Sequence, residues 1–233
     1  GSVGKAEGKK NVAIIGAGPA GLEAAYIAGQ RGHSVTVYEA SDRLCGGQLR
    51  MASSSPCKDI LQHVPEFFKV QLERMDNVEI KLNTPVTESN VGDLNADYVL
   101  LATGATPLVL PIPGIEKAKI AQDVLLHKAE VSGNVVICGG GQVGVETALE
   151  LLERGHKVSI VEMLPDLILK EELMTRIVMM KKLADAEVPV YCRHKVSRFT
   201  DGAVEIEDMQ TGEKKLLACG DVDVLVRDHI LYT

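Results

Sequence analysis

Residues 11–39 read NVAIIGAGPAGLEAAYIAGQRGHSVTVYE. Val12-Ala-Ile-Ile15 is a short uninterrupted apolar run, the pattern of a parallel strand covered on both faces. Gly16-x-Gly18-x-x-Gly21 follows at once, then a helical pattern, then a second strand over residues 34–39 that closes on an acid. In such a unit the first glycine permits a tight turn, the second lets backbone approach a pyrophosphate, and the third lets the helix pack on the strand. The helix N-terminus offers free N–H groups and the positive end of its dipole to the phosphates. The carboxylate of Glu39 is spaced to meet a ribose diol.

The chain then says the same thing again. Residues 134–162 read NVVICGGGQVGVETALELLERGHKVSIVE, and 13 of the 29 aligned positions are identical by direct count. Gly139, Gly141 and Gly144 repeat the glycines, Glu146 repeats Glu23, Arg154-Gly-His156 repeats Arg31-Gly-His33, and Glu162 repeats Glu39. Two intact units imply two dinucleotides. A duplicated scaffold that had lost one ligand would show a damaged glycine or a missing acid, and neither copy does.

Around these units the composition excludes several classes. The 233 residues are enough for two compact domains. A net charge of −7, no Trp, 3% aromatics and basic pairs only at Lys9-Lys10, Lys181-Lys182 and Lys214-Lys215 argue against a nucleic-acid partner. No apolar stretch has membrane-spanning length and the start carries no signal-peptide pattern, so a soluble cytoplasmic protein is expected. Cys45, Cys57, Cys138, Cys192 and Cys219 are odd in number and scattered, which excludes a disulfide framework or a zinc site. No metal site is expected. Cys138, at the end of a core strand, reads as packing. His63, His127, His194 and His229 read as surface or packing residues.

The fold class that follows is α/β, with two Rossmann-like dinucleotide-binding domains and a small antiparallel β element. Residues 1–10 read as a tail that begins with an expression scar, 11–112 as the first domain, 113–228 as the second and 229–233 as a further tail. Residues 40–49 and 51–58 read as loops, with Gly46-Gly47 allowing backbone to lie against a planar or phosphorylated ligand. Residues 59–74 fit a helix burying Ile60, Leu61, Val64, Phe67, Phe68 and Leu72. Residues 78–82 read as a strand and 85–87 as a strand-like connection, while 96–104 reads as a buried strand running into Gly104. Pro107, Pro111 and Pro113 mark a semi-rigid connector. A helix at 120–129, a core-facing Met-rich helix at 173–184, short strands at 188–192, 194–200, 203–208 and 214–218, and a last buried strand at 220–226 complete the reading.

Gly46-Gly-Gln-Leu49, Pro56-x-Lys58, Ala102-Thr-Gly104-x-x-Pro107 and Ile112-Pro-Gly114, together with the repeated unit, cover residues 10–226. This set resembles the C-terminal reductase portion of the 2,4-dienoyl-CoA reductase and NADH:flavin oxidoreductase group, old yellow enzyme-like proteins of the pyridine nucleotide–disulfide oxidoreductase superfamily. The resemblance implies the FAD/NAD(P)-binding fold, its second domain inserted in the first. It implies FAD on the first unit, held by Gly16, Gly18, Pro19, Ala20 and Gly21, with Glu39 and Ala40 at the ribose. Arg43, Gly47, Gln48 and Leu49 would line the rest, with Val86 near the adenine and Ala102, Thr103 and Gly104 near the cofactor. It implies a nicotinamide dinucleotide on Gly139, Gly140, Gly141, Gln142, Val143 and Gly144, with Glu146 toward the nicotinamide half and Glu162 at the ribose. An acid there suits a free 2′-hydroxyl and repels a 2′-phosphate. Met163 and Leu164 follow it without an arginine to offset that repulsion, so NADH is expected over NADPH.

The activity so implied is hydride transfer from NADH to FAD in an electron-transfer flavoprotein. The cofactors carry that chemistry, so no catalytic side chain is expected. Full-length members of the group add an FMN barrel with an iron–sulfur cluster and a C-terminal Gly-Asp segment that completes the FAD domain. The FMN/iron–sulfur domain is thus the implied partner. Cys45 reads as an extra residue before Gly46-Gly47, and Cys57 stands where the group has glycine. A disulfide reductase would need a redox-active cysteine pair on a short loop, for which Cys45 and Cys57 are too far apart. A silent nucleotide-binding scaffold is the reading from another class.

Overall fold

The computed structural model describes residues 3–54, 58–107, 110–220, 223–225 and 230–232. The chain divides into two compact units: among the described residues, unit 1 takes 3–53, 58–105 and 232, and unit 2 takes 54 and those from 106 to 231. Each is α/β.

Unit 1 contains β1 (Asn11–Ile15), α1 (Pro19–Gln30), β2 (Ser34–Tyr38), α2 (Gln48–Ser53), α3 (His63–Leu72), β3 (Val78–Lys81), β4 (Tyr98–Leu101) and the start of β5 (Ala105–Pro107). Its parallel sheet has the order β3-β2-β1-β4. Chain direction across the sheet therefore reverses at β1, which has β2 on one side and β4 on the other. Alternate side chains of β1 and β2, Ile14, Val35 and Val37, pack against Leu22 and Ala25 of α1 and Phe68 and Leu72 of α3. Fully burying side chains of this size contributes about 2 kcal/mol each. On the opposite face Ala13 and Ile15 are buried, and Asn11, Ser34, Thr36, Tyr38 and Asn95, with Val12, Ala13 and Ala96, line a hollow of about 180 Å³.

Unit 2 contains β6 (Lys119–Ile120), α4 (Ala121–Leu125), β7 (Asn134–Cys138), α5 (Gln142–Glu153), β8 (Lys157–Glu162), α6 (Leu173–Asp185), β9 (Val190–Cys192), β10 (His194–Thr200), β11 (Ala203–Asp208), β12 (Lys214–Ala218) and β13 (Asp223–Leu225). The parallel sheet has the order β6-β13-β7-β8-β9 and again reverses at the strand before the glycine turn. Val135, Ile137, Val158 and Ile160 pack on Val145, Ala148 and Leu151 of α5, Val124 of α4 and Leu183 of α6. The other face is covered by the antiparallel β10-β11-β12 meander, where Phe199, Val204 and Ile206 meet Val136, Cys138 and Val161. Among the described residues no helix is long and apolar enough to cross a membrane.

Several local expectations need correction. β4 is exposed along its whole length, with Tyr98 at 62% and Leu101 at 72%, because no described strand lies beyond it. Residues 48–53 form a helix where loop was expected. The helix expected over 59–74 is a 3₁₀ turn at Asp59–Gln62 followed by α3, and it leaves Ile60 and Phe67 exposed. Residues 85–87 carry no strand, and the helix expected at 120–129 is only α4. In α6 only Leu183 is buried, while Leu173, Met174, Ile177 and Val178 form an exposed stripe. Cys57 lies outside the described residues.

Candidate functional site

Both glycine turns are strand-to-helix corners at the sheet's switch point, where open α/β sheets bind ligands. Gly16 has φ +105°, and a Cβ there would stand 2.3 Å from the Ala102 carbonyl oxygen. That close approach brings the end of β4, and with it Ala102, Thr103 and Gly104, against the turn. A Cβ on Gly21 would stand 1.9 Å from the Gly16 oxygen, and on Gly144 2.0 Å from the Gly139 oxygen, so the third glycine of each turn is sterically required. Gly18 caps α1 and Gly141 caps α5, neither with a side-chain cap nor with an acid in the first turn. A Cβ on Gly18 would meet no atom within 4 Å. The first-turn N–H groups of α1 therefore have room for an anion, and those of α5 are likewise without a capping side chain. These residues fit a pyrophosphate.

The equivalence continues past the aligned 29 residues as a set of paired hydrogen bonds. Gly16 N–H donates to the Tyr38 oxygen at 2.7 Å, and Gly139 N–H to Val161 at 2.8 Å. Glu39 accepts from Ala17 N–H at 2.7 Å and Ser41 N–H at 2.8 Å. Glu162 accepts from Gly140 N–H at 2.6 Å and Leu164 N–H at 2.7 Å. Cys45 N–H returns to the Ala17 oxygen and Ile168 N–H to the Gly140 oxygen, both at 2.9 Å. Asn83 N–H reaches the Ser41 oxygen at 2.9 Å, and Arg193 N–H reaches Leu164 at 3.1 Å. Each acid thus ties the glycine turn to the loop that follows it, and a strap residue closes over the same turn. A ledge residue from the neighbouring strand supports the loop from the side.

The strap and ledge residues share an unusual backbone. Cys45, Ile168, Asn83 and Arg193 have φ of +52°, +44°, +53° and +58°. Such values are strained for non-glycine residues, above all for a β-branched one, and cluster where ligands are clamped. Cys45 fills in unit 1 the place that Ile168 fills in unit 2, with the same number of residues after the acid.

The electrostatics follow from this frame. Burial alone pushes the Glu39 carboxyl up, but the N–H groups of Ser41 and Ala17 outweigh it and hold the group below the usual carboxylate range. The Cys45 thiol is pushed up to about 11 by burial and by the charge of Glu39. Arg43 is drawn into a bidentate pair with Asp42, at 2.7 and 2.8 Å. Gln48 donates to the Ala105 oxygen at 3.4 Å, beside Gly104, while Gly47 stands in open space and Leu49 joins the unit 1 core. Ala40 is exposed, and Val86 is half-buried two residues beyond Thr84, whose N–H donates to the Glu39 carbonyl oxygen. In unit 2, Glu146 is buried at 6% exposure and accepts from the Gln142 amide at 3.0 Å; it is not a surface charge. Among the described residues no group of three or more His, Cys, Asp or Glu could hold a metal ion.

Sequence reasoning missed the strap, the ledge and Arg193. Their roles are carried by backbone, and the only advance sign was the equal spacing of Cys45 and Ile168 from their acids.

Residues 10–226 match the family described as pyridine nucleotide-disulphide oxidoreductase. The chain is 41% identical over 180 residues to an NADH oxidase of Thermoanaerobacter brockii, a match that covers 75% of this chain and 27% of that protein. To a cinnamate reductase of Clostridium sporogenes it is 43% identical over 164 residues, covering 70% and 24%. The structure of a 2-naphthoyl-CoA reductase bound to 2-naphthoyl-CoA superposes with a TM-score of 0.87 at 27% identity, covering 96% of this chain and 34% of that one. The chain spans about a quarter of the length of the curated relatives it matches.

Proposed function

The chain belongs to the pyridine nucleotide-disulphide oxidoreductase family, and on that premise we propose that it is a flavoprotein oxidoreductase module. In this reading unit 1 holds FAD and unit 2 holds NAD(P)H, with NADH favoured. The observation that carries the reading is the duplicate frame: two glycine corners, each tied by a carboxylate, each with a helix start that has no capping side chain.

When bound, the nicotinamide and flavin rings supply the hydride chemistry. The chain's own work is to bind and orient. The turns over residues 16–21 and 139–144 seat the pyrophosphates, and Glu39 and Glu162 present carboxylates to the riboses. Gly47, Gln48 and Ala102–Gly104 line the rest of the first site, and Gln142 positions Glu146 in the second. Because the relatives are about three times as long as this chain, their reductions belong to whole proteins. An FMN/iron–sulfur domain is proposed as the partner that takes electrons onward. A disulfide-reductase reading is disfavoured because the Cys45 thiol is buried and held protonated.

The test is a visible spectrum before and after anaerobic NADH. A yellow protein whose flavin band bleaches supports the module. A colourless protein whose melting temperature rises with NADH supports a nucleotide-binding scaffold instead.

A further inference from the structure

The two ledge residues stand in the same backbone position and differ in charge. In unit 1 the ledge is Asn83; in unit 2 it is Arg193, the residue after Cys192, which pairs in register with Glu162. Neighbouring parallel strands lie about 4.8 Å apart, so the Arg193 backbone, one residue past that pair and bonded to the Leu164 oxygen, stands beside the strand end that carries Glu162, a span a long side chain can cover. Arg193 is exposed, and among the described residues its guanidinium has no hydrogen-bond or ion-pair partner. The carboxylates around it are engaged already: Glu162 by Gly140 and Leu164 N–H, and Asp166 by Arg176. Burial pushes the Cys192 thiol up, Asp166 and Glu162 add to that and Arg193 opposes it.

We propose that Arg193 is a specificity-determining residue that lets the unit 2 site accept a 2′-phosphate, so that NADPH is admitted beside the favoured NADH. The proposal rests on reading unit 2 as the nicotinamide site. Glu162 alone would repel a 2′-phosphate, and an arginine nearby is the group that accommodates one. With both Glu162 oxygens held by backbone N–H groups, the free guanidinium is the charge an incoming phosphate meets.

Oxidised NAD and NADP differ only in the 2′-phosphate and cannot reduce a flavin, so calorimetric titration of the full chain with each is the direct test. Arg193→Asn installs the unit 1 ledge residue, which tolerates a positive φ better than arginine. It is expected to raise the NADP Kd about tenfold while leaving NAD within about twofold, and Arg193→Lys is expected to retain most of the NADP affinity. Wild-type binding of NADP should also weaken more steeply with salt than that of NAD. A wild-type chain that binds NAD but not NADP overturns the proposal and leaves the site standing. So does an Asn variant that changes both ligands alike or neither, or a Lys variant that loses as much as Asn. If the wild type binds neither dinucleotide, the nucleotide-site reading itself falls.

Discussion

In unit 2 the parallel sheet is packed on both faces, by helices on one and by the β10–β12 meander on the other, whereas the sheet of unit 1 is packed by helices on one face and carries on the other a hollow that mixes Ser34, Thr36 and Tyr38 with Ala13. Yet at the glycine corners the two units agree hydrogen bond for hydrogen bond. Side chains in the shared frame differ freely: Ala17 against Gly140, Cys45 against Ile168, Asn83 against Arg193. What repeats is the set of backbone donors and acceptors around one carboxylate. If the corners hold a pyrophosphate and a ribose as proposed, that task constrains the main chain at the strand ends and leaves the layers that stabilise each sheet free to differ.

The sharpest challenge to that equivalence is a matched pair, Gly21→Ala and Gly144→Ala. Each Cβ would fall about as close to a backbone oxygen that cannot move aside. Both are expected to cost about 3 kcal/mol or more in thermal or urea unfolding, and a mild effect in one unit alone would break the symmetry.

Next come Glu39→Gln and Glu162→Gln. Each loses a charged acceptor that holds two backbone N–H groups, at about 1.5 kcal/mol, and each should lower the affinity of its own dinucleotide. The pH profile supplies a second reading for Glu39. Its folded pKa lies below the ordinary glutamate value of 4.5, so its contribution is complete above that value and is lost as pH falls through the depressed one. Glu39→Gln should remove that part of the acid-side slope in pH-dependent melting, and an unchanged slope would count against the carboxylate's role.

A finer distinction separates Ala17 from Gly140. A Cβ on residue 140 would stand 2.2 Å from Leu167 Cδ2, a fully buried side chain. Gly140→Ala should cost about 1–2 kcal/mol in unfolding, although unit 1 carries that same alanine. The smallest expected effect is chemical. With its pKa near 11, native Cys45 should resist iodoacetamide at pH 8 and react only after denaturation, as mass spectrometry would show.

The corners were legible in advance because glycine spacing, apolar runs and a terminal acid are side-chain signals. The acid at each strand end, the meander and the parallel order at β1 and β7 followed from them. The strap and ledge were not legible: Cys45 and Ile168, or Asn83 and Arg193, share no chemistry, only a φ and a carbonyl. For β4, the apolar run Tyr98–Leu101 announced burial on both faces, but burial depends on neighbours that a run cannot name. In α6, helical spacing of apolar residues identified the helix and misassigned the stripe, because Leu183 with Met179 and Met180, rather than Leu173 or Ile177, turns toward the sheet.

The identical strap length has a practical corollary. Residues 40–45 and 163–168 begin after the same carboxylate and end on the same carbonyl of the corner before them. Exchanging one for the other needs no insertion or deletion, but Leu167 occupies the space beside Gly140 that the Ala17 methyl would take in unit 1, so a working graft carries the corner residue together with its strap.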